Sequence, residues 1–190
     1  MPRSMRSLFA PAALAVTLLA APCAMAQTVM LSTTMGDIVV RLDAAKAPKS
    51  VENFLQYVKA GHYNGTVFHR VIPGFMVQGG GFGNNLVQKP TRPPIELESG
   101  NGLKNERGMV AMARTAVPNS ATSQFFINLK DNEFLNAASS RDGNGYAVFG
   151  RVVSGMDVVD RIAEAQTQSQ GPHQNVPVKP ITITEAVVQQ

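Results

Sequence analysis

The feature that most restricts the folds open to this chain is a succession of short strand-like runs, each ended by turn residues, along nearly all of its length after residue 27. The runs fall at 29–31, 38–42, 66–72, 75–78, 108–113, 123–129, 147–152 and 181–188, and turns such as Thr34-Met35-Gly36-Asp37, Asn101-Gly102 and Asp142-Gly143-Asn144-Gly145 lie between them. Two segments depart from this pattern. Val51, Phe54, Leu55 and Val58 recur at i, i+3, i+4 and i+7 between Pro48 and Gly61, which predicts a helix with good signals at both ends. A second, shorter helix is expected over 155–165, with Val158, Val159 and Ile162 inward. About eight strands with two helices predict a mainly β fold: a closed eight-stranded antiparallel β-barrel capped by two α-helices. The segment 171–180, with three prolines, is expected to wrap the surface before the last strand.

Within this frame the stretch FHRVIPGFMVQGG, Phe68 to Gly80, stands out because it sets a cation among apolar groups. Strand alternation over 66–72 puts Phe68, Arg70 and Ile72 on one face, and Val67, His69 and Val71 on the other. A guanidinium keeps its charge at working pH and offers five donors in a rigid fork. After the Pro73-Gly74 turn, Met76 and Gln78 share a face, and Gly79, Gly80 and Gly81 allow close approach of backbone or ligand. A strand arginine is ordinarily a surface or salt-bridge residue, and Phe75, Met76, Phe126 and Leu135 taken alone read as core. The combination nevertheless suits a groove for something apolar with a carbonyl to hold.

Residues 1–26 have the layout of a secretory leader: Arg3 and Arg6, an apolar run over 8–21, then Ala24-Met25-Ala26. That run is shorter than the roughly 20 residues of a membrane span, and no stop-transfer segment follows it. The domain is therefore expected over 27–190, exported, periplasmic and free of the membrane once the leader is removed. Cys23, the single cysteine, lies within the leader; acylation there would place Pro22 where a small residue is usual. Cleavage after Ala26 leaves no cysteine for disulfides or thiol catalysis. It also leaves fifteen basic against thirteen acidic residues, a net charge of +2 without the basic stripe of a nucleic-acid binder. One domain of ordinary size remains, expected to be a monomer.

The residues FHRVIPGFMVQGG, together with GMVAMARTAVPNSATSQFFINL (Gly108 to Leu129), Asn132-Glu133-Phe134-Leu135 and Tyr146-Ala147-Val148-Phe149-Gly150, resemble the cyclophilins, the cyclosporin-binding class of peptidyl-prolyl isomerases. The similarity covers essentially the whole of the expected mature chain. It implies that Arg70 is the catalytic arginine with Gln78 beside it, and that Phe75, Met76 and Phe126 wall a proline pocket. Leu135 is implied as a further pocket residue, and Ala113 and Arg114 as the edge that holds the peptide. Cyclophilins often carry asparagine where Arg114 stands. Phe134 occupies the place of a tryptophan and Tyr146 that of a histidine in the best-known eukaryotic members, a pattern similar to the bacterial periplasmic cyclophilins. Both remain substrate-binding candidates, Tyr146 with the alternative of merely covering the barrel.

The implied activity is cis/trans isomerisation of X-Pro bonds in exported, proline-containing polypeptides, without cofactor or metal. A peptide-binding chaperone on the same barrel is the alternative. Other motifs lead nowhere. The glycines after Gln78 lack the helix and acidic residue of a dinucleotide loop. His62, His69 and His173 have no ligand spacing, and no Gly-x-Ser-x-Gly elbow occurs. Asn64-Gly65-Thr66 reads as a turn before a strand rather than a glycosylation site.

Overall fold

A computed structural model describes residues 27–189; the expected leader and Cys23 lie outside the described residues. The chain opens with a hairpin of β1 (Thr28–Thr33) and β2 (Gly36–Leu42), paired from Thr28↔Arg41 to Thr33↔Gly36. Val29 and Leu31 on one strand and Ile38, Val40 and Leu42 on the other turn inward, as period-two alternation requires. Helix α1 (Pro48–Lys59) buries the four predicted apolar positions and adds Ser50, Asn53 and Tyr57. Its N-terminus is capped from a distant loop: Glu98 accepts from the Lys49 and Ser50 amides at 3.0 and 2.8 Å and from the Ser50 hydroxyl at 2.7 Å. A carboxylate there satisfies orphan donors and meets the positive end of the helix dipole.

The remaining elements are β3 (Thr66–Val67), β4 (Arg70–Ile72), β5 (Met76–Gly79), β6 (Met109–Met112), β7 (Phe125–Asn128), β8 (Val148–Ser154), α2 (Met156–Ala163), β9 (Thr167–Gln170), β10 (His173–Pro177) and β11 (Thr182–Gln189). A 3-10 turn occupies Glu133–Leu135. Nine strands form one antiparallel sheet in the order β3-β11-β1-β2-β8-β6-β7-β5-β4.

The expected count of eight is corrected by one local event. The run 66–72 is not one strand but two, β3 and β4, at opposite ends of the sheet order and separated only by Phe68 and His69. The curled sheet is thus drawn together by the chain itself, and no ladder joins β3 to β4. The break also resets the alternation. Phe68 is buried in the barrel core alongside Val71, whereas Arg70 is exposed, so the two do not share a face. The segment 171–180 is corrected too: most of it joins β9 and β10 in a separate two-stranded hairpin instead of wrapping as a loop.

Phe54 organises the barrel interior, with Tyr63 at 5.1 Å, Phe149 at 5.1 Å and Phe125 edge-on at 5.6 Å. Gly80, at φ +83°, lies so close that a Cβ would stand 2.8 Å from Tyr63 and 3.0 Å from Phe125, and one on Gly79 would stand 3.0 Å from Phe68. These glycines make room for core aromatics rather than for a ligand.

Candidate active site

Alternation on β5, β6 and β7 gives the sheet a second apolar face. Val77, Val110, Phe125 and Ile127 point into the barrel, while Met76, Ala111 and Phe126 point outward and form a smaller cluster with Leu135 and Val148. Cross-strand register then assembles the site. Arg70 is opposite Gln78, Gln78 opposite Phe126, and Phe126 opposite Ala111, a single row across four strands. Directly paired residues project to the same side of a sheet. In the next row Ile72, Met76 and Asn128 align in the same way.

Arg70, Phe75, Met76, Gln78, Ala113, Arg114, Phe126, Leu135 and Tyr146 all border one cavity of about 170 Å³ on this outer face. Nine of the ten residues singled out from the sequence therefore meet. The tenth, Phe134, lies outside that lining: it is 54% exposed and stacks on Phe75 with ring centroids 5.6 Å apart. Arg70 takes part in none of the ion pairs among the described residues. Its Nη1 reaches Gln78 Oε1 only at 3.4 Å, a long contact that leaves the fork able to meet another acceptor. Gln78 is turned by Gln124, whose Oε1 accepts from Gln78 Nε2 at 2.9 Å. Gln124 escaped the sequence reading although it lies two residues before Phe126, the spacing of one strand face.

Arg114 borders the cavity and its side chain is held by several partners. The side chain is 3% exposed and pairs with Asp142, while Nε donates to the Gly145 carbonyl at 2.7 Å and Nη1 to the Thr115 carbonyl at 3.0 Å. The guanidinium lies 4.7 Å from the Tyr146 ring centroid, and that ring meets Phe126 edge-on at 5.6 Å. Of the two readings open for Tyr146, the ring thus borders the cavity. The hydrogen bond from Arg114, then that from the Asn144 amide, holds the Asp142 carboxyl well below the usual carboxylate range. The Ala113 N–H is already given to the Gln124 carbonyl at 3.0 Å.

Outside the cavity, His69 is buried with Nδ1 unpartnered, between Phe82 at 4.6 Å and His173 at 6.5 Å. Burial, then the neighbouring His173 and Arg70, pushes its pKa down from 6.5 to about 4. Among the described residues no group of three or more His, Cys, Asp or Glu is placed to hold a metal ion.

The outer sheet face thus carries an apolar pocket edged by a cation. Residues 28–188 match the family described as "Cyclophilin type peptidyl-prolyl cis-trans isomerase/CLD". The chain is 58% identical over 160 residues to "Peptidyl-prolyl cis-trans isomerase A" of Dickeya dadantii, covering 84% of this chain and 83% of that one. It is 53% identical over 161 residues to "Peptidyl-prolyl cis-trans isomerase B" of Escherichia coli, covering 84% and 98%. A solved cyclophilin-type isomerase of Cryptosporidium parvum superposes with a TM-score of 0.75 at 27% identity, over 87% of this chain and 98% of that one. A second structure of that protein, in the presence of the dipeptide Ala-Pro, gives 0.74 at 28%, over 86% and 99%. The chain belongs to the cyclophilin-type peptidyl-prolyl cis-trans isomerase family.

Proposed function

We propose that this isomerase accelerates rotation about X-Pro bonds in exported polypeptides, in the periplasm, with Arg70 as the donor that stabilises the twisted amide. The observation that carries the assignment of roles is the row Arg70–Gln78–Phe126, which sets a cation with free donor capacity beside an apolar floor. At about 170 Å³ the cavity is well below the roughly 300–1,000 Å³ of common cofactor and drug sites, which suits one ring with its flanking peptide groups.

The chemistry needs no covalent intermediate. Rotation about the amide costs about 18–20 kcal/mol because resonance is lost at the twisted state. There the prolyl nitrogen becomes pyramidal and recovers a lone pair, to which Arg70 donates; in either planar state that lone pair is delocalised. The bond therefore forms mainly in the transition state, the condition for catalysis rather than tight binding. Phe75, Met76, Phe126, Leu135 and Tyr146 exclude water around the ring and raise the worth of the charge. Gln78, steadied by Gln124, and the Ala113 carbonyl edge hold the flanking peptide so that one side of the bond turns. A hundred-thousandfold acceleration corresponds to about 7 kcal/mol. One preorganised charged donor supplies about 3–4 kcal/mol of that, leaving the rest to positioning.

The test is Arg70→Ala, measured by two-dimensional NMR exchange on a short X-Pro peptide. The expected loss in kcat/KM is about a hundredfold or more, with the melting temperature unchanged because Arg70 is exposed. Wild-type activity in this variant would remove Arg70 from the mechanism. Periplasmic placement is supported by the leader-like residues 1–26, and amino-terminal sequencing of the periplasmic fraction should read from Gln27; recovery only in the cytoplasm overturns it.

A further inference from the structure

The pocket walls are held in two different ways. Met76, Ala111 and Phe126 stand on strands, where ladders fix the backbone on both sides. Phe75, Leu135 and Tyr146 stand on a turn, a 3-10 turn and a loop, outside the ladders and held by isolated main-chain bonds, among them the Leu129 N–H to the Phe75 carbonyl and the Tyr146 N–H to the Leu135 carbonyl, each at 2.9 Å. Behind these three lie the buried asparagines Asn105, Asn128 and Asn132, each 1% exposed or less. Buried amides are costly unless their donors and acceptors are used.

The three amides run in series. Asn132 Nδ2 donates to Asn128 Oδ1 at 2.8 Å, and Asn128 Nδ2 donates to Asn105 Oδ1 at 3.3 Å and to the Met109 carbonyl at 3.1 Å. Both ends of the series grip the ladderless walls by their main chain. At one end Asn132 Nδ2 donates to the Phe75 carbonyl at 3.0 Å. At the other, Asn105 Nδ2 donates to the Leu135 carbonyl at 3.2 Å and lies 3.4 Å from the Tyr146 carbonyl, with Asn136 Oδ1 at 3.1 Å as a third acceptor. The direction of the relay is determined by its neighbours. Turning the Asn132 amide over would set its oxygen against two acceptors, Phe75 O and Asn128 Oδ1, and so its own Oδ1 is left without a partner.

We propose that Asn105, Asn128 and Asn132 are positioning residues of the isomerase, setting the gap between the Phe75 wall and the Leu135–Tyr146 wall to the width of a five-membered ring. None of them borders the cavity. Their role rests on those walls forming the proline pocket, and the test separates the two ideas.

The readout is ring selectivity: kcat/KM for a short X-Pro peptide divided by that for its six-membered pipecolyl homologue. One surplus methylene in a fitted pocket is rejected by roughly 10–200-fold, and the wild-type ratio should fall in that range. Asn128→Leu keeps the size and removes the centre of the relay; its ratio should drop to about threefold or less, below the low end of the fitted range. Asn132→Ser, which keeps a hydroxyl at one end, gives the same reading should Asn128→Leu not fold. In wild type, the side-chain amide resonances of Asn132 and Asn105 should shift on saturation with the X-Pro peptide although neither touches it. A ratio unchanged in a folded variant, or amide resonances indifferent to peptide, overturns the positioning role. A wild type inactive on the X-Pro peptide removes instead the pocket reading beneath it.

Discussion

The barrel interior and the outer cluster share the strands β5, β6 and β7, yet they answer to different demands. Phe125 and Ile127 face a sealed space packed on all sides by Phe54, Tyr63, Phe149 and both helices, where any displaced atom meets another. Phe126, between them in sequence, faces a smaller cluster that is open at its mouth and edged by Arg70, with buried asparagines behind part of its wall. One side of the sheet maximises burial, while the other gives up part of it to keep a cavity and a charge in register. Stability is thus expected to reside mostly inside the barrel and activity outside it.

The sharpest way to break this contrast is a pair of neighbouring truncations. Phe125→Ala should cost about 3–5 kcal/mol in chemical denaturation, with kcat/KM nearly retained in the folded fraction. Phe126→Ala should cost only about 2 kcal/mol, because water enters from the open mouth, while kcat/KM falls by about two orders of magnitude. Equal stability losses with equal activity losses would erase the distinction.

Next in size is a pH effect seated at the junction of the two regions, where His69 interrupts β3 and β4. Its folded pKa of about 4 lies below the ordinary 6.5, so the unfolded chain binds the proton first and stability falls as pH falls. The contribution is fully present above about 6.5 and is lost progressively down to about 4, amounting to about 3 kcal/mol at most. His62, lowered chiefly by burial, adds a loss of the same sign. Unfolding free energies of wild type and His69→Leu between pH 7 and 4 should converge as the wild type weakens; parallel curves would dissociate His69 from the acid limb.

The smallest effect concerns the start of α1, at the edge of the barrel core and outside the outer cluster. Glu98→Gln should lower stability by about 1 kcal/mol, seen as roughly 2–4 °C in melting temperature, and leave kcat/KM untouched. A change in activity would mean that the helix end communicates with the outer face.

Much of this molecule is readable from local pattern. The spacing of Val51, Phe54, Leu55 and Val58 marks α1, and alternation through Met76-Val77-Gln78 and Phe125-Phe126-Ile127 separates the inner from the outer face. Nine cavity residues were accessible because the motifs around them resemble a known family. The hairpin β9–β10 was not, since Thr167–Gln170 is wholly polar and Gly171, Pro172 and Pro177 read as loop. The hydrogen-bonding roles of Asn105, Asn128, Asn132, Gln124 and Asp142 are not legible in sequence, because an amide or carboxylate there looks the same whether it meets water or a buried carbonyl.

The sequence by itself determined the succession of short strands, the two helices, the family and most of the residues that border the outer cavity, since each is carried by local patterns and motifs. Only the tertiary structure decided that the run 66–72 divides at Phe68 and His69, sending Phe68 inward and leaving Arg70 outside. It alone brought Arg114 onto Tyr146 and joined three asparagines behind the pocket. The physical reason is that periodicity is a property of the local backbone, whereas the satisfaction of a buried polar group depends on what the rest of the chain brings to it.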